Sequence, residues 1–276
     1  MRQSCYEKSE TRRIGRWFTF GVVLGVTSLV RGVAFPFLAV PAAVWLICQG
    51  VRVSAMRTSV AALGLLLVVL PWTARNAMVM GYPSLISTDA AAALFNAHNP
   101  LAFGSEKIEM SVLGEREWPS VQRLPLRQRE VARAKAEVDF AIRYIVSHPW
   151  EEVPLIPWRI YYLYAGDHYP LRSETPQRPI LHRIAVVGAD AFFLIVLLLA
   201  LIGVPETLTA EDSRLILPLT IVYFTILHGV LFFGAPRYHA PLSPVLSILA
   251  PVGAGRVMGA ALRGRLDKAN PRSKPY

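Results

Sequence analysis

The sequence predicts an all-α polytopic membrane protein, with about six transmembrane helices and a mainly helical external domain between the third and the fourth. The first observation is composition: of 276 residues, 53% are hydrophobic and 17% are charged, which is too apolar for an ordinary soluble domain. The second is that the apolar residues form separate blocks. The third is the net charge of +10, whose Lys and Arg cluster at both ends and beside those blocks. Such clustering sets orientation in membrane proteins.

The clearest membrane boundary lies within residues 63–81. An apolar run there ends in Pro71 and Trp72, and Arg75 and Asn76 follow three residues later. Trp favours the boundary between lipid and water, and an Arg just beyond it can keep its charge among the headgroups. We therefore expect the chain to leave the bilayer at this point.

The remaining boundaries rest on similar patterns. The first apolar run, Trp17–Val30, is short, about 20 Å as a helix against a hydrocarbon core of about 30 Å. Arg31 and Gly32 make a break after it, and Arg52 and Arg57 mark the turn between the second and third runs. The predicted spans are 17–30, 33–51, 58–72, 184–204, 215–233 and 240–257.

Six spans place both basic ends in the cytoplasm and the large polar segment outside. The predicted organisation is a basic cytoplasmic N-terminus (1–16), three spans (17–73), an external, periplasmic domain (74–183), three spans (184–257) and a basic cytoplasmic tail (258–276).

The external domain contains two predicted helices. Residues 127–147 place apolar side chains on one helical face, and Arg, Lys and Glu on the other. His148-Pro149-Trp150-Glu151-Glu152 reads as a stop and a new start, because Pro suits the first helical position and Glu the positive end of the helix dipole. The second helix carries an aromatic belt expected on the membrane surface: Trp158, Tyr161, Tyr162 and Tyr164.

A family resemblance rests on five landmarks that occur in order along the chain. They are Thr27-Ser-Leu-Val-Arg31 with Pro36, Leu70-Pro-Trp-Thr-Ala-Arg-Asn76 with Gly81, Leu94-Phe-Asn-Ala-His-Asn-Pro100, Ser147-His-Pro149, and Arg237-Tyr-His-Ala-Pro-Leu242. Together they resemble the C-terminal half of polytopic GT-C glycosyltransferases, near the bacterial protein mannosyltransferases and the lipid A aminoarabinose transferases.

The resemblance implies a multi-pass transferase of the bacterial inner membrane that takes a sugar from a polyprenyl-phosphate carrier to an envelope acceptor. Such enzymes use an acidic residue of the first long external loop as the base. Here the first external turn is Arg31-Gly32, without an acid, and the helices expected before Trp17 are missing. We therefore expect a fragment, or a second chain that supplies the missing half. The alternative is a non-catalytic membrane subunit or remnant that acts as a scaffold.

A lipid-phosphate donor needs cations at the outer interface. Arg75, Arg237 and Arg31 are the predicted phosphate-binding residues, although each is equally explained as a headgroup anchor. Polar side chains of the landmarks are the predicted contacts to sugar or acceptor: Asn76, Asn96, His98, Tyr238 and His239. Asp89, Asp167 and His168 are candidates for the absent base. For Asn99, a turn is the preferred interpretation.

Several other classes are disfavoured. The basic residues follow the membrane boundaries, so nucleic-acid binding is not expected. No CxxC, HExxH or paired His predicts a metal site, and no cofactor is predicted. A transporter is disfavoured, because no internal repeat relates the first three predicted spans to the last three. Gly21 with Gly25, and Gly255 with Gly259, are expected to allow close helix packing.

Overall fold

The structure, a computed structural model, describes residues 2–105, 118–166, 179–208 and 214–269, and every regular element in these ranges is a helix. The α-helices are α1 (Arg2–Val30), α2 (Ala39–Gln49), α3 (Val51–Met80), α4 (Asp89–Ala97), α5 (Pro119–Gln122), α6 (Leu126–Ser147), α7 (Pro149–Glu152), α8 (Leu155–Tyr164), α9 (Pro179–Leu208), α10 (Ile216–Ile226) and α11 (Ser243–Ala269). Short 3₁₀ segments cover Gly32–Leu38, Pro236–Tyr238 and Ala240–Leu242, and Leu227–Leu231 forms a π-helical turn.

Four helical segments of the described chain are long and apolar enough to cross a membrane: Gly32–Gln49, Val51–Met80, Ile180–Leu208 and Pro236–Arg263. Two further apolar helices, Ile14–Val30 and Ile216–Leu231, are shorter. The prediction of an α-helical membrane protein is thereby confirmed at the level of its class. The count of six spans stays a prediction.

The chain forms two compact units. The first unit comprises Met1–Arg159 with Gly229–Phe233, and the second comprises Ile160–His228 with Gly234–Tyr276. Each contains apolar helices, and each is described separately below.

In the first unit, α1 and α3 pack closely and run in the same direction. A Cβ atom at Gly21 would stand 1.9 Å from the carbonyl oxygen of Ala61, and one at Gly25 would stand 3.0 Å from that of Leu65. A Cβ at Gly64 would stand 2.4 Å from the carbonyl oxygen of Phe18. Residue numbers thus increase together along both helices. The expectation for Gly21 and Gly25 is confirmed: only glycine permits this approach.

The segment between these parallel helices returns through the 3₁₀ turns and α2. Leu24, Leu65 and Val69 form a buried cluster that is covered by apolar residues of the 29–38 segment and by Ile86. The turn into α3 is made by Gly50, whose φ is +85°, a conformation that favours glycine. Arg52 and Arg57 were predicted in this turn; they lie instead within α3.

The predicted exit from the bilayer near Trp72 stays a prediction; the helix α3 itself continues to Met80 and ends at Gly81. Gly81 has a φ of +68°, and its N–H donates to the carbonyl of Ala77, as is usual at a helix C-terminus. The predicted break at His148-Pro149 is confirmed, since α6 ends at Ser147 and Pro149 begins α7.

In the second unit, α9 and α11 also run parallel. The helices meet at Gly203 and Gly253, because a Cβ at Gly253 would stand 1.8 Å from the carbonyl oxygen of Leu199 and 3.0 Å from the backbone nitrogen of Gly203. Earlier along both segments, Phe193 of α9 stacks on His239, which precedes α11. Farther along, Arg256 Nη1 lies 3.5 Å from Glu206 Oε1. The expectation that Gly255 and Gly259 mediate this packing is wrong. A Cβ at Gly255 would meet nothing within 4 Å and one at Gly259 only a side chain 3.9 Å away, whereas Gly253 faces α9.

Candidate functional site

Arg31 and Arg75 lie at the same end of the helices of the first unit. Arg31 precedes the 3₁₀ segment, whose residues Ala34 and Phe35 cover the buried cluster together with Ile86. The carbonyl of Ile86 accepts hydrogen bonds from Trp72 Nε1 at 2.9 Å and from Asn76 Nδ2 at 3.2 Å. The chain after α3 therefore folds back over the end of that helix, beside the Arg31 turn.

Arg75 is exposed, and its guanidinium lies 4.7 Å from the centre of the Trp72 ring. Its Nη1 donates to Asn76 Oδ1 at 3.3 Å, and it forms no ion pair with a carboxylate in the described ranges. Stacking covers one face of a guanidinium and leaves its N–H edge available to an anion. The geometry of Arg75 suits a phosphate contact.

Asn76 is buried and serves the fold. Its amide nitrogen donates to the carbonyls of Ser84, at 3.1 Å, and Ile86, so both amide hydrogens are used inside the protein. Asn96 is half-buried, and its carbonyl accepts a 3.3 Å bond from Asn99 Nδ2. Asn99 also donates to Phe95 O and accepts from Leu101 N, both at 2.8 Å, which confirms its interpretation as a turn residue.

A buried charge cluster in the first unit is formed by His98, Glu152 and Arg159. Glu152 Oε2 lies 2.8 Å from His98 Nδ1 and 2.7 Å from Arg159 Nη2. Arg159, only 1% exposed, also donates to the carbonyls of Ala97, at 2.6 Å, and Val230, at 3.3 Å. Three separate segments of the unit are joined through these contacts.

His98 has an acceptor at each ring nitrogen. Nδ1 faces the Glu152 carboxylate, and Nε2 lies 3.1 Å from the carbonyl oxygen of Leu231. Arg159 Nη2 also lies 3.5 Å from Nδ1, so the ring is held by polar contacts at both of its nitrogens.

Two opposing effects act on the Glu152 carboxyl. Burial raises its pKa, but hydrogen bonds and charge from His98 and Arg159 together outweigh burial and hold the pKa below its ordinary value. Glu152 is therefore an ionised structural anion at neutral pH rather than a proton acceptor. Sequence reasoning assigned Glu152 to the helix dipole and overlooked Arg159, although Arg159 is the single charge within the aromatic stretch 155–164.

In the second unit, Arg237 and Tyr238 lie in the first of the two 3₁₀ turns that precede α11, and His239 joins that turn to the second. The Arg237 guanidinium lies 5.0 Å from the Tyr238 ring centre, and its Nη2 is 3.2 Å from the Tyr238 hydroxyl. His239 is buried: Nδ1 donates to the carbonyl of Leu163 at 2.7 Å, and the ring stacks on Phe193 at 4.1 Å. Tyr238 stacks on His228 at 4.4 Å. The two side chains that follow Arg237 thus hold the backbone that presents it.

The candidate bases have different outcomes. Asp89 is exposed at the start of α4, where its carboxylate accepts from the Ser87 hydroxyl at 3.1 Å. Asp167 and His168 lie outside the described residues. Within the described ranges, no group of three or more His, Cys, Asp or Glu is arranged to hold a metal ion.

The fold and these contacts indicate an α-helical membrane protein with arginines at the ends of its apolar helices. No family model, curated protein or solved structure matches the chain.

Proposed function

We propose that this chain is the C-terminal membrane part of a GT-C-type glycosyltransferase of the bacterial inner membrane. It takes a sugar from a polyprenyl-phosphate donor to an envelope acceptor. The order of the five landmarks supports the proposal, and so do the apolar helices on both sides of a polar helical segment.

The observation that carries the proposal is the presentation of Arg237. It lies in the 3₁₀ turn Pro236–Tyr238, shortly before the apolar helix α11, and the neighbouring Tyr238 and His239 are held by stacking. A preorganised guanidinium binds phosphate with two parallel hydrogen bonds and loses little freedom on binding. Arg75 and Arg31 are the phosphate-binding residues proposed for the first unit.

The buried residues among the proposed sugar contacts act indirectly. His98, Asn76 and His239 each use side-chain nitrogens within the protein. We assign them the role of shaping the backbone around the donor, and we assign the direct polar contacts to Tyr238 and Asn96, which are half-buried.

The test compares Arg237→Lys and Arg237→Ala for affinity towards polyprenyl phosphate, using the purified full chain in detergent. Loss of a charge-assisted bidentate contact should cost about 1.5–3 kcal/mol in the Ala variant, and Lys should recover only part of it. The matched control is Arg256→Ala, which removes an exposed charge from α11. Wild-type affinity in both Arg237 variants would make Arg237 a headgroup anchor and overturn the proposal.

One observation favours the non-catalytic alternative. Between Glu10 and Asp89 the sequence has no carboxylate, so the first external turn offers no base. We expect the chain alone to bind polyprenyl phosphate without turning over a sugar donor. Transfer by the purified chain, abolished by Asp89→Asn or Asp167→Asn, would show that it contains its own base.

A further inference from the structure

A second cationic site lies at the other end of α3, around Arg57. The guanidinium carbon of Arg57 lies 4.9 Å from the ring centre of Trp17 on α1 and 5.9 Å from that of Trp45 on α2. The two rings meet edge to face at 4.8 Å. Three apolar segments therefore converge on one arginine, which the rings hold in a defined orientation.

The position of Arg57 along α3 places it at a membrane boundary. Residues 58–74 carry no charge, and Arg57 and Arg75 are separated by about 27 Å at the helical rise. This matches a hydrocarbon core of about 30 Å. The two arginines thus mark opposite surfaces of the bilayer, and the Arg57 end is distinct from the end proposed for the sugar donor.

The charge at this end is not neutralised by acidic residues of the surrounding elements. The 78 positions from 11 to 88 contain seven arginines and no Asp or Glu. Arg16 and Arg52 are exposed neighbours of Trp17 and Arg57 along their helices. Within the described residues, Arg57 makes no ion pair.

Two polar atoms of the same helical turn are buried without a hydrogen-bond partner in the described part of the chain. They are Arg57 Nε and Thr58 Oγ1. A buried donor without an acceptor costs about 1–3 kcal/mol, and more when it is charged. A guanidinium stacked on Trp also presents its N–H edge, which matches the oxygens of a phosphate.

We propose that Arg57, framed by Trp17 and Trp45, is a binding site for a phosphate group, supplied by an anionic lipid headgroup. The site is independent of the proposed glycosyltransferase function. Its frame is rigid, because the buried Ser54 hydroxyl donates to Ala42 O at 2.9 Å and joins α3 to α2 at this end. A preformed frame lets the lipid phosphate bind without the cost of ordering a flexible side chain.

The experiment measures retention of phosphatidylglycerol by the purified full chain in phosphatidylcholine nanodiscs, using native mass spectrometry over a range of phosphatidylglycerol fractions. Arg57→Gln should weaken retention about tenfold, equivalent to about 1.4 kcal/mol. The matched control Arg52→Gln removes the same charge from the same helix and should change retention less than about twofold. Equal losses in the two variants would show diffuse electrostatic attraction and overturn the proposal.

A second variant guards against misfolding of Arg57→Gln. Arg57→Lys keeps the charge and loses the planar fork, so its retention should fall between wild type and the Gln variant. Wild-type retention in Arg57→Lys, with unchanged helical circular dichroism, would overturn the assigned geometry. Inorganic phosphate is added as a competitor. If millimolar phosphate does not displace phosphatidylglycerol, the result supports a lipid as the source of the bound phosphate group. Displacement that depends on Arg57 would overturn the lipid assignment in favour of free phosphate.

Discussion

Glu152 and Arg159 form a buried ion pair, in which each charge is stabilised by the other. Arg159 is 1% exposed, and the Glu152 carboxylate is its ionic partner in the described structure. Removing one member of a buried pair leaves an uncompensated charge, which usually costs about 3–5 kcal/mol. We expect Glu152→Gln to lower the free energy of unfolding by about that amount.

The measurement is thermal unfolding in detergent, followed by circular dichroism. Asp139→Asn is the matched control, since Asp139 pairs with Arg143 on the exposed face of α6, where both side chains are more than half exposed. Its effect should stay within about 0.5 kcal/mol. Similar midpoints for the two variants would mean that the charge cluster adds no stability beyond a surface pair.

The same carboxyl predicts a pH dependence. Because the folded-state pKa of Glu152 is below its ordinary value of 4.5, its stabilising effect is complete above pH 4.5. The effect is lost as the pH falls through the folded-state pKa. The difference in unfolding midpoint between wild type and Glu152→Gln should therefore be fully present at about pH 6 and should narrow as the pH falls below 4.5. A difference that widens on acidification would contradict this sign.

The local backbone structure was predictable at those residues where it depends on the neighbouring residues in the sequence. The Asn99 turn and the Pro149 helix start follow from short-range hydrogen bonding, and both are observed. The charge cluster was not predictable, because His98 and Glu152 are 54 positions apart and meet only through tertiary packing. His98 was predicted as a contact to sugar or acceptor, and its partners within the protein could not be read from the sequence.

At the scale of elements, glycine contacts set how closely the long helices pack. Gly253 faces α9, and a Cβ there would stand 1.8 Å from Leu199 O, whereas Gly255 has open space. Gly253→Ala should destabilise by about 1–3 kcal/mol through overpacking. Gly255→Ala should stabilise slightly, by at most about 1 kcal/mol of helix propensity.

The two variants are compared by thermal unfolding of the purified chain. Because they add the same methyl group two positions apart on one helix, their difference isolates the contact with α9. Equal midpoints would contradict the close contact between α9 and α11 at Gly253.

Helix bounds were predictable only where a residue terminates the helix locally. Gly81 lies where α3 ends, and Pro149 lies where α7 begins. The start of α3 was misplaced, because Arg52 and Arg57 were taken as a turn signal, while long arginine side chains also occur inside helices at a membrane boundary. Which glycines face a neighbour depends on helix rotation, which spacing alone does not determine, and the prediction therefore named Gly255 where Gly253 makes the contact.

For the whole molecule, the parallel pairs bear on topology. Two adjacent helices that cross a bilayer in the same direction require the chain between them to return across it. The segments between α1 and α3, and between α9 and α11, therefore support three crossings in each unit. On this basis we predict residue 120 outside and residue 273 in the cytoplasm.

Single cysteines at Ser120 and Ser273, in a chain with Cys5 and Cys48 replaced, test this prediction with a membrane-impermeant thiol reagent. In intact cells Ser120→Cys should react and Ser273→Cys should not, and both should react after permeabilisation. If neither reacts in intact cells, only the four longest apolar segments cross and the polar segment is cytoplasmic. Reaction at 273 alone would invert the orientation.

Because the ribosome delivers the chain from its N-terminus, α1 is synthesised before the helix that covers its glycine face. Its apolar part is short, and the surface that receives Gly21 begins at Ala61 of α3. A nascent chain that stops before Ala61 therefore holds α1 without its partner, and we expect α1 to stay beside the insertion machinery until α3 emerges. Insertion of this protein would then proceed by the release of helix pairs rather than of single helices.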